Sequence, residues 1–322
     1  MSCSSLIGSL KQHPIFAISD DSYKKAIEFK PRDNDCFITT PPKTGTTLIQ
    51  YITHLLRTVS DADINNDLLF RNATSFEAID QVVPWPMLAW DLGYDITDAD
   101  YEQRCQVSNE KYPVRLFKSH QRLLAMNPGA KYICAVRNPQ SACVSLFRFL
   151  TSKDLPFVRK YTSASEWAFD KTWHENNGFG ASIWEYFNDY LSLVQDPNVL
   201  VVVYEDLAKD IRGHLPTLAK FLGLNVSENH MNEIARLTSR SEMINNSKFE
   251  EVWMAQRLKS MNRYKGHFNP GTFVTSGSDK SSLTTEAIQF LDDQWKAKIE
   301  SINGIRNYEE LANIIREEFQ KR

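Results

Sequence analysis

The chain has 322 residues, of which 42% are hydrophobic, 11% aromatic and 24% charged, an ordinary composition for a soluble globular protein. A formal net charge of −3 and an isoelectric point near 6.2 exclude a general nucleic-acid binder, so positive charge for an anionic ligand must be local. No apolar run approaches the ~18 residues of a membrane span, and the first residues lack the features of a secretory signal. We therefore expect a cytoplasmic protein.

No composition break or Gly/Ser linker marks a domain boundary, so we expect a single domain over residues 1–322. Within it we expect an N-terminal extension over 1–30 and a mobile loop over 245–282. The five cysteines are Cys3, Cys36, Cys105, Cys134 and Cys143. Their odd number and scattered positions favour reduced thiols. The sequence contains no Cys/His cluster, so we expect no metal site.

Residues 36–59 have the pattern of a strand, a tight loop and a helix. The run from Cys36 to Thr40 is short, apolar and β-branched, which predicts a buried strand that the following two prolines end. Apolar side chains then recur with helical spacing from Leu48 to Val59. The loop P-P-K-T-G-T joins these two predicted elements.

This loop has the residues of a phosphate site. The first amides of a helix lack intrahelical partners, and the helix dipole favours negative charge there. Gly45 lets the backbone approach an anion, Lys43 adds a positive charge, and hydroxyl donors come from Thr44, Thr46 and Thr47. The alternative is an ordinary strand-turn-helix with a solvated lysine. A Walker A loop is excluded because Lys43 precedes Gly45.

A second strand pattern, at 114–120, ends in Lys118-Ser119-His120. Open α/β sheets bind ligands at the carboxyl ends of their strands, where this histidine stands. A neutral histidine there would accept a proton from a nucleophile, although a lone histidine is more often structural.

Two further strands are predicted at 130–136 and 198–207. The first runs directly into a predicted helix, so that residues 130–150 bring Arg137 and Ser145 to a strand end. That pair suits a second phosphate, whereas the alternative for Arg137 is a surface ion pair. The last strand ends in Tyr204-Glu205-Asp206.

Between the strands, V-V-P-W-P-M-L-A-W (82–90) reads as an irregular loop because prolines flank Trp85. Trp85 and Trp90 either line a substrate pocket or cap the core. Helical patterns follow near 215–223, 227–238, 283–299 and 307–320. Strands alternating with helices predict an α/β fold with a mostly parallel central sheet, helices on both faces and a P-loop-like strand-loop-helix.

Five separated segments, in order, resemble the cytosolic sulfotransferases. P-K-T-G-T-T (42–47) resembles their 5′-phosphosulfate loop, and K-S-H (118–120) resembles the K-T-H that contains the catalytic histidine. R-N-P-x-x-x-x-V-S (137–145) resembles their 3′-phosphate signature, and V-Y-E-D-L (203–207) their Y-E-D strand end. T-S-x-x-E-M (238–243) is similar to the segment near the adenine.

The resemblance implies transfer of the sulfuryl group from 3′-phosphoadenosine 5′-phosphosulfate (PAPS) to a hydroxyl, or an amine, of a small molecule, leaving adenosine 3′,5′-bisphosphate (PAP). It implies no metal. The implied catalytic residues are His120 as general base, Lys43 and Lys118. The implied donor-binding residues are Lys43, Thr44, Gly45, Thr46, Thr47, Leu48, Arg137, Ser145, Tyr204, Thr238, Ser239, Arg240 and Gly277.

The chain also departs from the family pattern around the adenine. Leu48 stands where the family has a stacking tryptophan, and Arg240 where it has a phenylalanine. An arginine can stack on a purine through its planar guanidinium. The sequence therefore resembles a divergent member of this family.

The C-terminal phosphate contacts differ as well, since only Gly277 remains of the family's R-K-G segment. Arg263, Lys265 or Lys280 would have to supply the missing charge. The family's dimer motif survives only in part, which favours a monomer or a weak homodimer.

Two other functions remain open: a PAP- or PAPS-binding protein without turnover, and a P-loop kinase for a small molecule. The acceptor is not readable from the sequence. Aromatic residues suggest an apolar wall, whereas Asp91, Asp95, Asp98 and Asp100 would suit a polar or cationic acceptor.

Overall fold

The computed structural model describes residues 17–61, 67–93, 112–175, 181–244, 246–249, 252–263 and 282–322. In this part of the chain one sheet contains four strands: β1 Asp35–Thr39, β2 Arg115–Ser119, β3 Lys131–Val136 and β4 Val199–Val203. The strands pair in parallel in the order β2-β1-β3-β4. The predicted α/β fold with a parallel sheet is confirmed.

Helices connect and cover the strands. In the first half of the chain they are α1 Asp20–Glu28, α2 Thr46–Val59, α3 Asp67–Ala73, α4 Ile79–Val82, α5 Pro86–Ala89, α6 Pro139–Ser152, α7 Ala164–Ala168 and α8 Lys171–His174. In the second half they are α9 Ile183–Leu193, α10 Tyr204–Lys209, α11 Ile211–Leu222, α12 Glu228–Leu237, α13 Arg240–Met243, α14 Val252–Ser260, α15 Thr285–Trp295, α16 Ser301–Asn303 and α17 Tyr308–Gln320. Shorter 3-10 segments cover Leu123–Ala125 and Ser247–Phe249, and a π-helical turn covers Lys296–Glu300.

Side chains of each strand alternate between two cores, as the two-residue period of a strand requires. Phe37 and Phe117 join the first core, which includes residues of α1, α6, α9, α15 and α17. Ile38 and Leu116 join the second core, which includes residues of α2, α11 and α12. Both faces of the sheet are therefore covered by helices.

The parallel arrangement brings all four carboxyl ends of the strands to one edge of the sheet. Thr39 of β1 lies beside Ser119 of β2, and Val136 of β3 lies beside Val203 of β4. The residues that follow these strands, among them the P-K-T-G-T-T loop and His120, are therefore neighbours in space.

Two predicted elements were wrong at their boundaries. The strand predicted over 198–207 ends at Val203, and Tyr204 already begins α10. The reason is that Glu205 turns away from the strand to accept a hydrogen bond from the Asn138 amide at the start of α6. The loop predicted over 82–90 contains the end of α4 and all of α5, because Pro86 occupies the first turn of a helix, where proline fits well.

Of the loop expected over 245–282, the structure describes 246–249, 252–263 and 282, and this part contains α14. The other residues of the range lie outside the described residues. Cys36, Cys134 and Cys143 are free and buried, whereas Cys3 and Cys105 lie outside the described residues. In the described segments no helix combines the length and the apolar character that crossing a bilayer requires.

Candidate active site

The loop between β1 and α2 has an unusual backbone at two positions. Gly45, the residue before α2, has φ 105°, and Lys43 has φ 68°, in the left-handed region that few residues other than glycine adopt. Arg137, at the end of β3, donates from NH1 to the Lys43 carbonyl oxygen at 2.6 Å. Gly45 has no side chain to cap α2, so the amides of the first turn receive no side-chain acceptor from that residue.

The threonines of this loop differ in burial and in hydrogen bonding. Thr44 is fully buried and donates from Oγ1 to the Pro41 carbonyl at 2.7 Å. Its one hydroxyl proton is therefore used in a hydrogen bond within the loop. Thr46 Oγ1 lies 2.6 Å from Thr40 Oγ1. Thr47 and Leu48 are half-buried, and Leu48 packs against the second core.

Tyr204 packs directly on Gly45. A Cβ atom built on Gly45 would lie 2.6 Å from Cδ2 of the Tyr204 ring, a distance that real Cβ atoms do not tolerate. The guanidinium of Arg137 lies over the same ring, 4.5 Å from its centroid, which is a cation–π contact. Burial lowers the pKa of Arg137 below its ordinary value, and the nearby Tyr204 and Glu205 oppose this effect only in part. The ends of β1, β3 and β4 therefore meet at one stacked group.

This stack leads to a prediction for Gly45→Ala. The variant must relieve the clash with Tyr204 as well as a left-handed backbone that costs about 1–2 kcal/mol for alanine. We expect PAP affinity to fall at least tenfold, equivalent to about 1.4 kcal/mol, measured by isothermal titration. Gly129→Ala is the matched control, because Gly129 has the same φ of 105° but nothing within 4 Å of the added Cβ. Equal affinity for PAP in both variants would contradict the prediction.

His120 follows β2 and is held by a backbone group. Its Nδ1 lies 2.8 Å from the Thr40 carbonyl oxygen. A carbonyl oxygen only accepts hydrogen bonds, so Nδ1 carries a proton, and when the ring is neutral Nε2 has the lone pair. The Trp85 ring meets the imidazole edge-on, with centroids 5.3 Å apart and planes at 90°. The histidine is thus fixed in the tautomer that a proton-accepting Nε2 requires.

Lys118 is buried two residues before His120. Its Nζ lies 3.8 Å from Asp80 Oδ1 and 5.0 Å from the centroid of the Trp85 ring. Asp80 belongs to α4 and is itself buried. Trp85 therefore contacts both residues that the sequence predicts for catalysis at this strand end.

Helix α9 anchors the segments that carry His120 and Lys43. Tyr190 donates to the Thr39 carbonyl at 2.9 Å, and Tyr186 donates to the His120 carbonyl. Asp189, which is 1% exposed, accepts two hydrogen bonds from Arg122 at 2.5 and 3.1 Å. Burial raises the pKa of both tyrosines, so their hydroxyls remain donors. One face of α9 thus holds the backbone at the end of β1 and at His120, and the side chain of Arg122.

A second prediction concerns Asp189→Asn, which keeps the shape of the side chain and removes its charge. We expect kcat to fall about tenfold with KM for the donor unchanged, within the ~10²-fold that small displacements of a catalytic group cost. Glu185→Gln is the control: Glu185 bonds the same Arg122 but is 33% exposed, and partly solvated ion pairs contribute little. A parallel loss of PAP affinity, or an equal effect in Glu185→Gln, would show that Asp189 does not act through His120.

The start of α6 is fixed by the end of β4. Glu205 accepts from the Asn138 amide at 2.9 Å and from the Tyr308 hydroxyl of α17 at 2.6 Å. Asp206 pairs with Arg316, also on α17, at 2.6 Å. These contacts hold Arg137, which precedes Asn138, in place at the strand end. Ser145 lies two turns into α6 and is half-buried.

The remaining predicted residues lie in several surroundings. Thr238 is buried and donates to the Ile234 carbonyl, whereas Ser239 Oγ lies 3.1 Å from Ser241 Oγ. Arg240 is exposed, and its charge lowers the pKa of Arg137, which places the two guanidinium groups near each other. Their predicted contacts with the donor stay predictions.

Farther from His120, Trp90 packs against the first core and lies under the Lys25 ammonium at 5.6 Å. Arg263, a predicted substitute for the missing phosphate contacts, pairs with Asp91 at 3.2 Å. Gly277, Lys265, Lys280, Asp95, Asp98 and Asp100 lie outside the described residues.

Sequence reasoning missed the residues that support the site. These are Asp80, Arg122, Phe149, Tyr186, Asp189, Tyr190 and Tyr308. In the described part of the chain, no group of three His, Cys, Asp or Glu side chains is arranged to hold a metal ion.

Solved structures of sulfotransferases and of a retinol dehydratase resemble this fold. A structure titled mouse sulfotransferase SULT7A1 complexed with PAP has a TM-score of 0.63 at 20% identity, covering 93% of this chain and 94% of that chain. A structure of retinol dehydratase with androsterone and inactive cofactor PAP has a TM-score of 0.59 at 17% identity, covering 92% and 94%. At these identities the likeness shows the fold.

Sequence comparison adds the family. Sulfotransferase 2A6 of Mus musculus is 26% identical over 264 residues, covering 78% of this chain and 83% of that protein. Luciferin sulfotransferase of Photinus pyralis is 25% identical, covering 86% and 74%, and amine sulfotransferase of Oryctolagus cuniculus is 25% identical, covering 84% and 82%. The family model described as "Sulfotransferase domain" matches residues 33–303, which include every strand end described above. The chain belongs to the sulfotransferase family.

Proposed function

We propose that the protein transfers the sulfuryl group of PAPS to a hydroxyl or an amine of a small-molecule acceptor, with His120 as the general base. One observation carries this proposal: Lys43, His120 and Arg137 follow three neighbouring strands and are tied to one another through the backbone. Arg137 binds the Lys43 carbonyl, and His120 binds the Thr40 carbonyl three residues before Lys43.

The loop fits the 5′-phosphosulfate of the donor. Gly45 allows the left-handed backbone that precedes α2 and the close packing of Tyr204, and the first turn of α2 would offer its backbone amides to the phosphosulfate. Lys43 adds the positive charge that a leaving phosphate needs. Arg137 and Ser145 would hold the 3′-phosphate. Tyr204, whose ring lies against the Arg137 guanidinium, would contact the adenosine.

The donor supplies an activated sulfuryl group, whose bond to the 5′-phosphate breaks as the acceptor oxygen or nitrogen bonds to sulfur. His120 Nε2 takes the proton that the acceptor loses, and Nδ1 stays bound to the Thr40 carbonyl throughout. Lys118 stabilises negative charge that develops on the sulfuryl oxygens, and Asp80 and Trp85 hold its side chain in place. The work of these residues is thus positioning and charge stabilisation.

Transfer of radiolabelled sulfate from PAPS to a panel of phenols, alcohols and amines tests the proposal. We expect transfer to at least one acceptor without added metal. Isothermal titration should also show that PAP binds at least tenfold more tightly than adenosine 5′-monophosphate, because the monophosphate lacks the group for Arg137 and Ser145.

Other results would favour the alternatives. Tight PAP binding with no transfer to any acceptor indicates a binding protein without turnover. Tighter, magnesium-dependent binding of ATP than of PAP indicates a kinase.

A further inference from the structure

One face of α2 binds the backbone of the segment that precedes Trp85. Gln50, His54 and Arg57 are spaced four and three residues apart, so they share this face of the helix, and all three are buried. Each side chain is hydrogen-bonded to a carbonyl oxygen within residues 73–83. The helix whose first turn would bind the phosphosulfate is therefore joined along its side to this segment.

Arg57 is 1% exposed and joins two separate parts of the chain. Its NH2 donates to the Val82 carbonyl at 2.5 Å, and its NH1 donates to the Val114 carbonyl at 3.2 Å. Val82 ends α4, and Val114 directly precedes β2. A guanidinium is planar and its donors have a fixed geometry, so this one group sets the separation of the two carbonyls.

Among the described residues, the Arg57 charge faces carbonyl dipoles and rings rather than a carboxylate. His54 Nε2 lies 3.0 Å from a carbonyl oxygen, so Nε2 carries a proton, and in the neutral ring Nδ1 accepts from Arg57 NH2 at 3.2 Å. The guanidinium also lies 4.7 Å from the centroid of the Tyr112 ring. Burial lowers the pKa of Arg57 to about 10, against an opposing effect of Tyr112, so the side chain is charged at neutral pH. An apolar side chain at this position would avoid the cost of burying a charge.

Three consecutive carbonyl groups lead to Trp85, and all of them accept hydrogen bonds. The first is that of Val82, described above, and the second accepts from Gln50 Nε2 at 3.3 Å. The third, that of Pro84, accepts from the Lys118 amide at 2.8 Å. Trp85 follows directly, so its backbone is anchored both from α2 and from β2.

Trp85 in turn contacts both side chains of β2 and its end that are proposed for catalysis. Its ring centroid lies 5.0 Å from Lys118 Nζ, and the ring meets the His120 imidazole edge-on at 5.3 Å. We propose that Arg57 is a positioning residue for sulfuryl transfer: it holds Trp85 and the start of β2 at a fixed separation, which fixes the two catalytic side chains for in-line transfer. This inference rests on the proposed function. A displacement of about 1 Å at a catalytic group can cost ~10²-fold in rate, so a contact at this distance from the chemistry affects turnover.

Arg57→Gln, which cannot reproduce the guanidinium fork, tests the inference. We expect kcat for transfer of labelled sulfate to fall at least tenfold, while PAP affinity measured by isothermal titration changes less than threefold. Arg57→Lys keeps the charge and a donor, so it should lose less turnover than Arg57→Gln. Leu218→Ala on α11 is the control for stability, because it leaves a cavity in the second core but removes no hydrogen bond to the segment before Trp85. Its folded fraction should keep the wild-type kcat.

A double-mutant cycle with Trp85→Ala separates positioning from a general loss of structure. If Arg57 acts through Trp85, Arg57→Gln should lower kcat less than threefold once the indole has been removed. A tenfold loss in both backgrounds overturns the inference. So does an unchanged kcat in Arg57→Gln, an equal loss of PAP affinity, or an equal loss of kcat in Leu218→Ala. If Trp85→Ala leaves no measurable transfer, equal losses in Arg57→Gln and Arg57→Lys overturn the inference.

Absence of transfer by the wild-type protein to every acceptor would instead overturn the proposed function, and the inference with it. If Arg57→Gln does not fold, Gln50→Met replaces it, because this variant removes one hydrogen bond to the same segment without changing the charge. We expect Gln50→Met to lower kcat about threefold at unchanged PAP affinity. Wild-type kcat in both Gln50→Met and Arg57→Lys would then overturn the inference.

Discussion

Replacing His120 by alanine is expected to lower kcat by about 10²–10⁴-fold, the usual contribution of a general base. The physical reason is that Nε2 is the proton acceptor, since Nδ1 is bound to the Thr40 carbonyl. Steady-state transfer of labelled sulfate measures the effect. PAP affinity should change less than threefold, about 0.6 kcal/mol, because the imidazole is tied to the loop's backbone and not to the proposed phosphate contacts.

His214→Ala is the control for this experiment. That histidine lies on α11, where its Nδ1 bonds to the Asp210 carbonyl and its ring packs against Phe319. Turnover should be the same as in the wild-type protein. A His120→Ala protein that keeps more than a tenth of the wild-type kcat would remove His120 from the role of base. A loss of PAP binding equal to the loss of turnover would assign it to the shape of the loop.

The strands and their ends were predictable because the signals are local. The apolar run at 130–136 and the β-branched run after Asn198 predict buried strands, and both strands are present in one parallel sheet. Parallel strands end at one edge, so residues that follow them were expected to meet there. Arg137 and the Lys43 loop do meet, joined by a hydrogen bond of 2.6 Å.

The supporting contacts were not predictable because they join distant segments. Arg122 and Asp189 are separated by 67 positions, and neither residue differs in the sequence from an ordinary surface charge. Arg57 is a further example, since a charged residue of an amphipathic helix is expected in solvent. Its burial depends on how α2 packs against residues 73–83 and the start of β2, which no local pattern encodes.

Tyr204 shows how a local pattern also misleads. The run V-L-V-V-V-Y-E-D-L extends the strand signal past Val203 because tyrosine has a high strand propensity. In the fold, Glu205 accepts a hydrogen bond from Asn138 of the α6 N-terminus, and Asp206 pairs with Arg316 of α17. These contacts end the strand. Propensity gives way to these tertiary contacts.

The amino ends of the same strands carry the last prediction. Asp35 and Arg115 are paired in the register of β1 and β2, and both are buried. Arg115 donates to both carboxylate oxygens, Nε to Oδ1 at 2.5 Å and NH2 to Oδ2 at 2.7 Å. The Arg32 amide donates to Oδ2 at 2.8 Å. The guanidinium also lies over Phe117, 5.3 Å from the ring centroid. The buried charges of Asp35 and Arg115 therefore compensate each other.

Asp35→Asn should lower the free energy of unfolding by about 3–5 kcal/mol, because it leaves the Arg115 charge buried without its counter-charge. Urea unfolding followed by circular dichroism measures the change. Asp33→Asn, in the exposed turn just before β1, is the control and should stay within about 0.5 kcal/mol of the wild-type protein.

The double variant Asp35→Leu with Arg115→Met separates two explanations. If the pair contributes only through mutual compensation, two apolar side chains of similar size should restore most of the stability, since replacing a buried pair in this way is often neutral. Stability as low as in Asp35→Asn would mean that the bidentate geometry itself holds β1 against β2. In that case the folded fraction of the double variant should also lose turnover, because the register at the amino ends sets where Thr40 and His120 meet at the other end.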